Sequence, residues 1–190
     1  MATDLTGFTG RIRIIVDATP RKAIDLAIPE AVLRMVKSLT FAFGTGLGKA
    51  NQIFWDRRVI TGDGNDPLDL TGPLGSPLAN PFEGVVNFAN IKGIALLNRS
   101  DETLVHAGGT HTATDAIIKI FDAVEGNTFL GPCEAAPTGF TLKPGGMFLT
   151  TNPLAAGWTV TDDSTDIFRV DNQDAVDDAL YDIVLIGEST

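Results

Sequence analysis

The chain has 190 residues, a formal net charge of −10, 44% hydrophobic residues and a mean hydropathy of +0.14. That length is the usual span of one domain and that composition is globular, which excludes a disordered polar chain. Cys133 is the only cysteine, so an intrachain disulfide and a four-cysteine zinc site are both excluded.

The elements follow in chain order. In residues 11–17 (RIRIIVD), Ile12, Ile14 and Val16 alternate with Arg11, Arg13 and Asp17, the pattern of a half-buried strand. Thr19-Pro20 ends it, and residues 23–28 (AIDLAI) form a second short alternating run. Residues 29–38 read either as a helix opening at Pro29 or as a strand. The β-branched and aromatic residues that accumulate through Phe43 favour the strand. GTGLG at 44–48 is a turn, and NQIFWDRRVI at 51–60 a strong strand.

Residues 61–84 are rich in proline and glycine and read as loops around a short strand at 67–71. Further strands are expected at 91–98, 103–107 and 117–122. FTLKPGGMFLTT at 140–151 reads as two strand segments around a Pro-Gly-Gly turn. WTVT (158–161), TDIFRV (165–170) and ALYDIVLIG (179–187) close the chain. The last is apolar on both faces, which places it in the centre of a sheet. Short strands with Gly/Pro turns and little helical period predict a mainly-β single domain, an antiparallel β-sandwich or jelly-roll. Its expected parts are an extended N-terminal arm (1–48) and a sandwich body (49–190).

Charge is also unevenly distributed along the chain. Residues 1–60 hold nine Lys+Arg against five acids, a net +4; residues 61–190 hold five against nineteen, a net −14. The two sum to the −10 of the whole chain. A basic front on an acidic body makes Arg11, Arg13, Arg21, Lys22, Arg34 and Lys37 the candidate interface, docking on an acidic surface of another copy or another protein. The same charges also read as a solvated face that serves solubility. A nucleic-acid partner is disfavoured, because the body repels phosphate and the basic residues are not interleaved with stacking aromatics. No apolar run approaches the ~18 residues of a membrane-spanning helix. Residues 1–10 lack the basic and apolar regions of a signal peptide, so folding in a reducing cytoplasm is expected.

No catalytic constellation emerges. GTGLGK at 44–49 fails as a Walker A motif, with Phe43 and Ala50 at two required positions, and Lys49 stands where a dinucleotide motif needs its last glycine. His106 and His111 do not fit the spacing of a zinc site and read as surface-loop residues, and nothing pairs either with Cys133 as a nucleophile. The acids between Asp162 and Asp182 miss the EF-hand register, which leaves an irregular calcium site as the minor alternative. No GxSxG surrounds any serine. The expectation is a non-enzyme without cofactor.

Several short pieces in order resemble a family of small structural proteins of tailed bacteriophages. GTGLGKANQIFWDRRVI (44–60) is similar to the family's Gly-Thr-Gly opening, LDLTGPL (68–74) to its Leu-Asp-Leu segment, and VVNFANIKGIALLN (85–98) to its Ile-Lys strand. LKPGGMFLTTNP, GWTVT, DIFRVDN and YDIVLIGEST follow in the family's order, so the likeness spans about residues 24–190. The chain departs from the pattern at 62–84 and 108–139. The resemblance implies a virion component assembled in the host cytoplasm, of the head-decoration (capsid cement) type, with no catalytic residues. Its implied partners are the major capsid protein and copies of itself, as a trimer or another symmetric homo-oligomer. A small tail or fibre-associated module that binds a receptor or glycan is the competing virion role.

Overall fold

The computed structural model describes residues 7, 9–18, 33–72, 85–106, 108–122, 126–133 and 138–189; among these it contains strands and no helix. The protein is a mainly-β sandwich. One sheet orders β11 (Met147–Thr151), β6 (Asn90–Asn98), β14 (Ala179–Glu188) and β4 (Gln52–Ile60), with β12 (Trp158–Thr159) also on β6. The other orders β10 (Thr138–Leu142), β9 (Ile118–Asp122), β13 (Ile167–Asn172) and β5 (Asn65–Asp69). Every pairing within these two sheets is antiparallel. A short pair, β7 (Leu104–His106) and β8 (Gly109–His111), stands apart.

Side chains from the two inner faces interdigitate as the core. Phe54, Ile60, Ile94, Leu96, Tyr181, Ile183 and Leu185 meet Leu68, Ile118, Ile120, Phe168 and Val170. Phe121 anchors the aromatic part, edge-on to Phe148 and Phe168 at centroid distances of 5.4 and 5.1 Å. Each fully buried side chain of this size contributes about 1.5–3 kcal/mol.

A third layer lies on the outside. β1 (Gly10–Ala18) and β2 (Leu33–Phe43) form an antiparallel ribbon, and β2 pairs in parallel with the short β3 (Lys49–Ala50). Phe41 and Ala50 are buried with Ile186, and Ile12, Leu39, Ile53 and Val184 pack on them. This explains why β14 is apolar on both faces. It lies between β6 and β4, with one face in the sandwich core and the other under the ribbon.

The strand expected within 29–38 is present from Leu33; residues 29–32 and the run at 23–28 lie outside the described residues. One expectation needs correction. The strand read at 67–71 is Asn65–Asp69, because Asp69 Oδ1 accepts the N–H groups of Thr71 and Gly72, an Asx turn that ends the strand. Its edge position tolerates Pro67. The two strand segments expected around Pro-Gly-Gly are present as β10 and β11; β10 joins β9 and β11 joins β6, so that turn carries the chain between sheets.

Candidate interaction surface

Ribbon alternation fixes which side chains face outward. Arg11, Arg13, Ile15 and Asp17 share one face with Arg34, Val36 and Thr40, and all are exposed. The opposite face carries Ile12, Ile14 and Val16 beside Leu39, Lys37 and Met35. Only its proximal part reaches the body. Val16 is 42% exposed and Met35 56%. Of the sequence-predicted interface residues, Arg11, Arg13, Arg34 and Lys37 thus stand on the ribbon in solvent, while Arg21 and Lys22 lie outside the described residues. Arg34 reaches Asp17 at 3.5 Å, a surface pair worth little.

Beneath the ribbon, the outer face of the five-stranded sheet is laid out in cross-strand rows. Thr151, Gly93, Ile186 and Ile53 form the first. A Cβ on Gly93 would lie 3.0 Å from Ile12 Cδ1, so the glycine is what lets the ribbon sit down on β6. Leu149, Ala95, Val184 and Trp55 form the second row, and Met147, Leu97, Asp182 and Arg57 the third. Trp55 is 62% exposed, whereas Trp158 packs half-buried against the core. In the third row, Asp182 accepts from both Arg57 and Arg99, at 2.7 and 3.1 Å.

The glycine turn at 44–48 is held by a buried ion pair. The β6–β14 register shifts between Ile186 and Gly187, which leaves Lys92 as the extra residue of a bulge. Lys92 is fully buried; its Nζ donates to Glu188 Oε2 (2.7 Å) and to the carbonyls of Gly46 (2.6 Å) and Lys49 (3.1 Å). Glu188 also accepts the Gly46 N–H (2.7 Å) and the Asn90 side chain (3.1 Å). Positive φ at Gly44, Gly46 and Gly48 gives the turn the shape this requires. The GTGLGK turn thus gives one backbone N–H, that of Gly46, to the protein's own Glu188, and two carbonyls to Lys92.

A second polar cluster joins the two sheets. Asp66 of β5 accepts from Arg58 and from the Tyr181 hydroxyl (2.7 Å), and Arg58 also donates to Asp56 (2.9 Å). Burial, and then the neighbouring Asp66 charge, push the Tyr181 phenol well above its ordinary range. The open cleft beside this cluster, about 370 Å³, is lined by Asp56, Arg57, Arg58, Asn65 and Asp66. Within it Arg58 pairs with Asp56 and Asp66, while Arg57 pairs with Asp182 outside it.

The remaining flagged residues take structural places. His111 is buried on β8 with Nε2 3.3 Å from the Ser100 carbonyl, so it is not the surface-loop residue expected. His106 Nδ1 accepts the Gly108 N–H. Cys133 packs half-buried against the core, and burial pushes its thiol up, away from the nucleophilic thiolate. The acids between 162 and 182 do not converge as one group. Asp162, Asp163 and Asp166 come together, Asp174 and Asp177 join Asp115, and Asp171 and Asp182 pair with arginines. Thr71 Oγ1 bonds Asp162 (3.0 Å), and Asp174 Oδ1 accepts the N–H groups of Val176 and Asp177, so these acids brace turns.

Fold and surface together define a β-sandwich carrying a basic, partly apolar ribbon on one outer face. Comparison with known protein families, characterised proteins and solved structures finds no match to this chain.

Proposed function

We propose that this chain is a virion structural protein that decorates a tailed-bacteriophage head and cements it through protein–protein contacts. The observation that carries the reading is the ribbon. It is a basic, two-stranded projection with Val16 and Met35 in solvent, on a body whose residues 61–190 carry a net −14. The ordered motif resemblance supplies the word virion. The chemistry required is only burial: a protein bound across neighbouring capsomers stabilises the bound shell by mass action, and a durable interface needs roughly 1,200–2,000 Å² of buried surface. The major capsid protein and further copies of the chain are the proposed partners.

Mixing the protein with undecorated capsids is expected to give saturable, stoichiometric binding and a higher shell-rupture temperature. Absence of binding overturns the reading.

A second reading draws on Trp55. An exposed indole on a flat sheet face is the kind of platform on which sugars stack, which suits a tail- or fibre-associated glycan-binding module. A saturable glycan-array signal that disappears in Trp55→Ala selects this reading; no signal on the array removes it.

A further inference from the structure

We propose that the β1–β2 ribbon of one copy lies across the Leu149–Ala95–Val184–Trp55 row of a second copy. The inference deepens the structural reading above, by naming the surface through which copies of the chain meet.

Three observations carry it. The first is continuity. The ribbon face that seals the row of Gly93, Ile186 and Ile53 through Ile12, Leu39 and Phe41 does not stop there. It runs on through Ile14, Val16 and Met35, with Val16 and Met35 well exposed. A two-stranded ribbon is marginally stable without cover, so its distal half gains from a partner surface.

The second is a matching surface. The adjacent row on the outer sheet face is apolar from edge to edge; Leu149, Ala95 and Val184 are half-buried, Val184 already touching the ribbon cluster of its own copy, and the strand-edge Trp55 is 62% exposed. Apolar side chains thus stand both on the distal ribbon and on the sheet beside its base. A contact between two copies covers both, with alternate ribbon residues facing the row.

The third is charge. Lys37 stands on the same ribbon face, opposite Ile14, and Arg11, Arg13 and Arg34 line the other face. The receiving row is bordered by Asp182, which Arg57 and Arg99 already pair, so the opposite sign lies in the net −14 of residues 61–190 as a whole. Opposite signs on ribbon and body favour the encounter of two copies and disfavour ribbon–ribbon contact. The contact closes either as a reciprocal dimer or as a ring in which each ribbon reaches the next copy.

The test uses the full chain. Sedimentation equilibrium is expected to give a closed multiple of the chain mass at micromolar concentration. Met35→Asp, a change on an exposed position, is expected to give the monomer mass with an unchanged far-ultraviolet circular dichroism spectrum. In a Trp158→Phe background, emission from Trp55 is expected to shift to longer wavelength on dilution, as the row is uncovered. Chains carrying Met35→Cys and chains carrying Trp55→Cys, each with Cys133→Ser, are expected to form a mixed disulfide when combined under oxidation.

A wild-type monomer at every concentration overturns the inference, as does an oligomer indifferent to Met35→Asp, or failure of the mixed disulfide. Capsid binding is scored separately. A monomer that binds capsids sinks this contact and keeps the decoration reading, whereas an oligomer that ignores capsids does the reverse.

Discussion

Replacing Lys92 by methionine is expected to lower the unfolding free energy by about 3–5 kcal/mol, because it strands a buried carboxylate. Lys92 is the only cation within hydrogen-bonding reach of Glu188 among the described residues, and both side chains are almost wholly out of water. With the ammonium gone, Glu188 keeps the Gly46 N–H and the Asn90 amide among the described residues, and the carbonyls of Gly46 and Lys49 lose a shared donor. For a chain of this length the loss corresponds to a fall in Tm on the order of 10 °C. The turn at 44–48 loosens first, and Phe41 and Ala50 flank it, so the ribbon is expected to lose protection from hydrogen exchange before the sandwich does. Lys92→Met with Glu188→Met is expected to be more stable than Lys92→Met alone, since no charge is then left unpaired. Denaturant unfolding of the three proteins checks this. A single variant within about 1 kcal/mol of wild type, below the usual cost of a broken buried pair, contradicts it.

Asp66→Ala is expected to have the next largest effect, a loss of about 2–4 kcal/mol, because it leaves a buried hydroxyl and a half-buried guanidinium without their shared acceptor. Asp66 is on β5, while Arg58 and Tyr181 are on β4 and β14, so the cluster crosses from one sheet to the other. Tyr181→Phe removes the stranded donor. The double variant is therefore expected to cost less than the sum of the two single changes, as contacting groups in one network do.

The same tyrosine sets an alkaline limit. Its phenol is held protonated in the folded chain by burial and by Asp66, whereas in the unfolded chain it ionises near 10. Below that pH both states carry the proton and stability is unaffected. Above it the unfolded chain releases a proton that the folded chain retains, so stability falls as pH rises through about 10 and continues to fall toward the folded pKa. Urea midpoints measured from pH 8 to 11 are expected to fall more steeply in the wild type than in Tyr181→Phe. Parallel profiles contradict the assignment.

Much of the fold was legible because side-chain period and turn chemistry are local. The alternation in RIRIIVD placed Ile12, Ile14 and Val16 on one face, and that is how β1 is arranged. The two apolar faces of ALYDIVLIG put β14 in the middle of its sheet, with β6 and β4 on either side. Turn residues located the breaks at 44–48 and around Gly145.

Partners across the sandwich were not legible, since nothing local distinguishes a hairpin turn from one that changes sheets. LKPGGMF reads as a turn between two strands, and the structure makes it one that changes sheets. The surface followed the same division. The basic residues of the ribbon stood out by composition, but the row of Leu149, Ala95, Val184 and Trp55 draws on four strands well separated along the chain. The Lys92–Glu188 pair spans 96 positions and left only a faint trace, one lysine inside NIKGIALL and one glutamate at the end of VLIGE.

The amino-acid sequence by itself determined that this is a strand-built chain with a basic front, an acidic body and glycines where turns demand positive φ. Each of these follows from residues close together along the backbone. Only the tertiary structure decided which face of each strand is covered, that the glycine turn closes on Glu188 rather than on a ligand, and that the ribbon outruns the surface beneath it. Those outcomes depend on registers and bulges that bring distant residues into van der Waals contact, and free energy at that range is set by packing and desolvation, which the order of residues does not display.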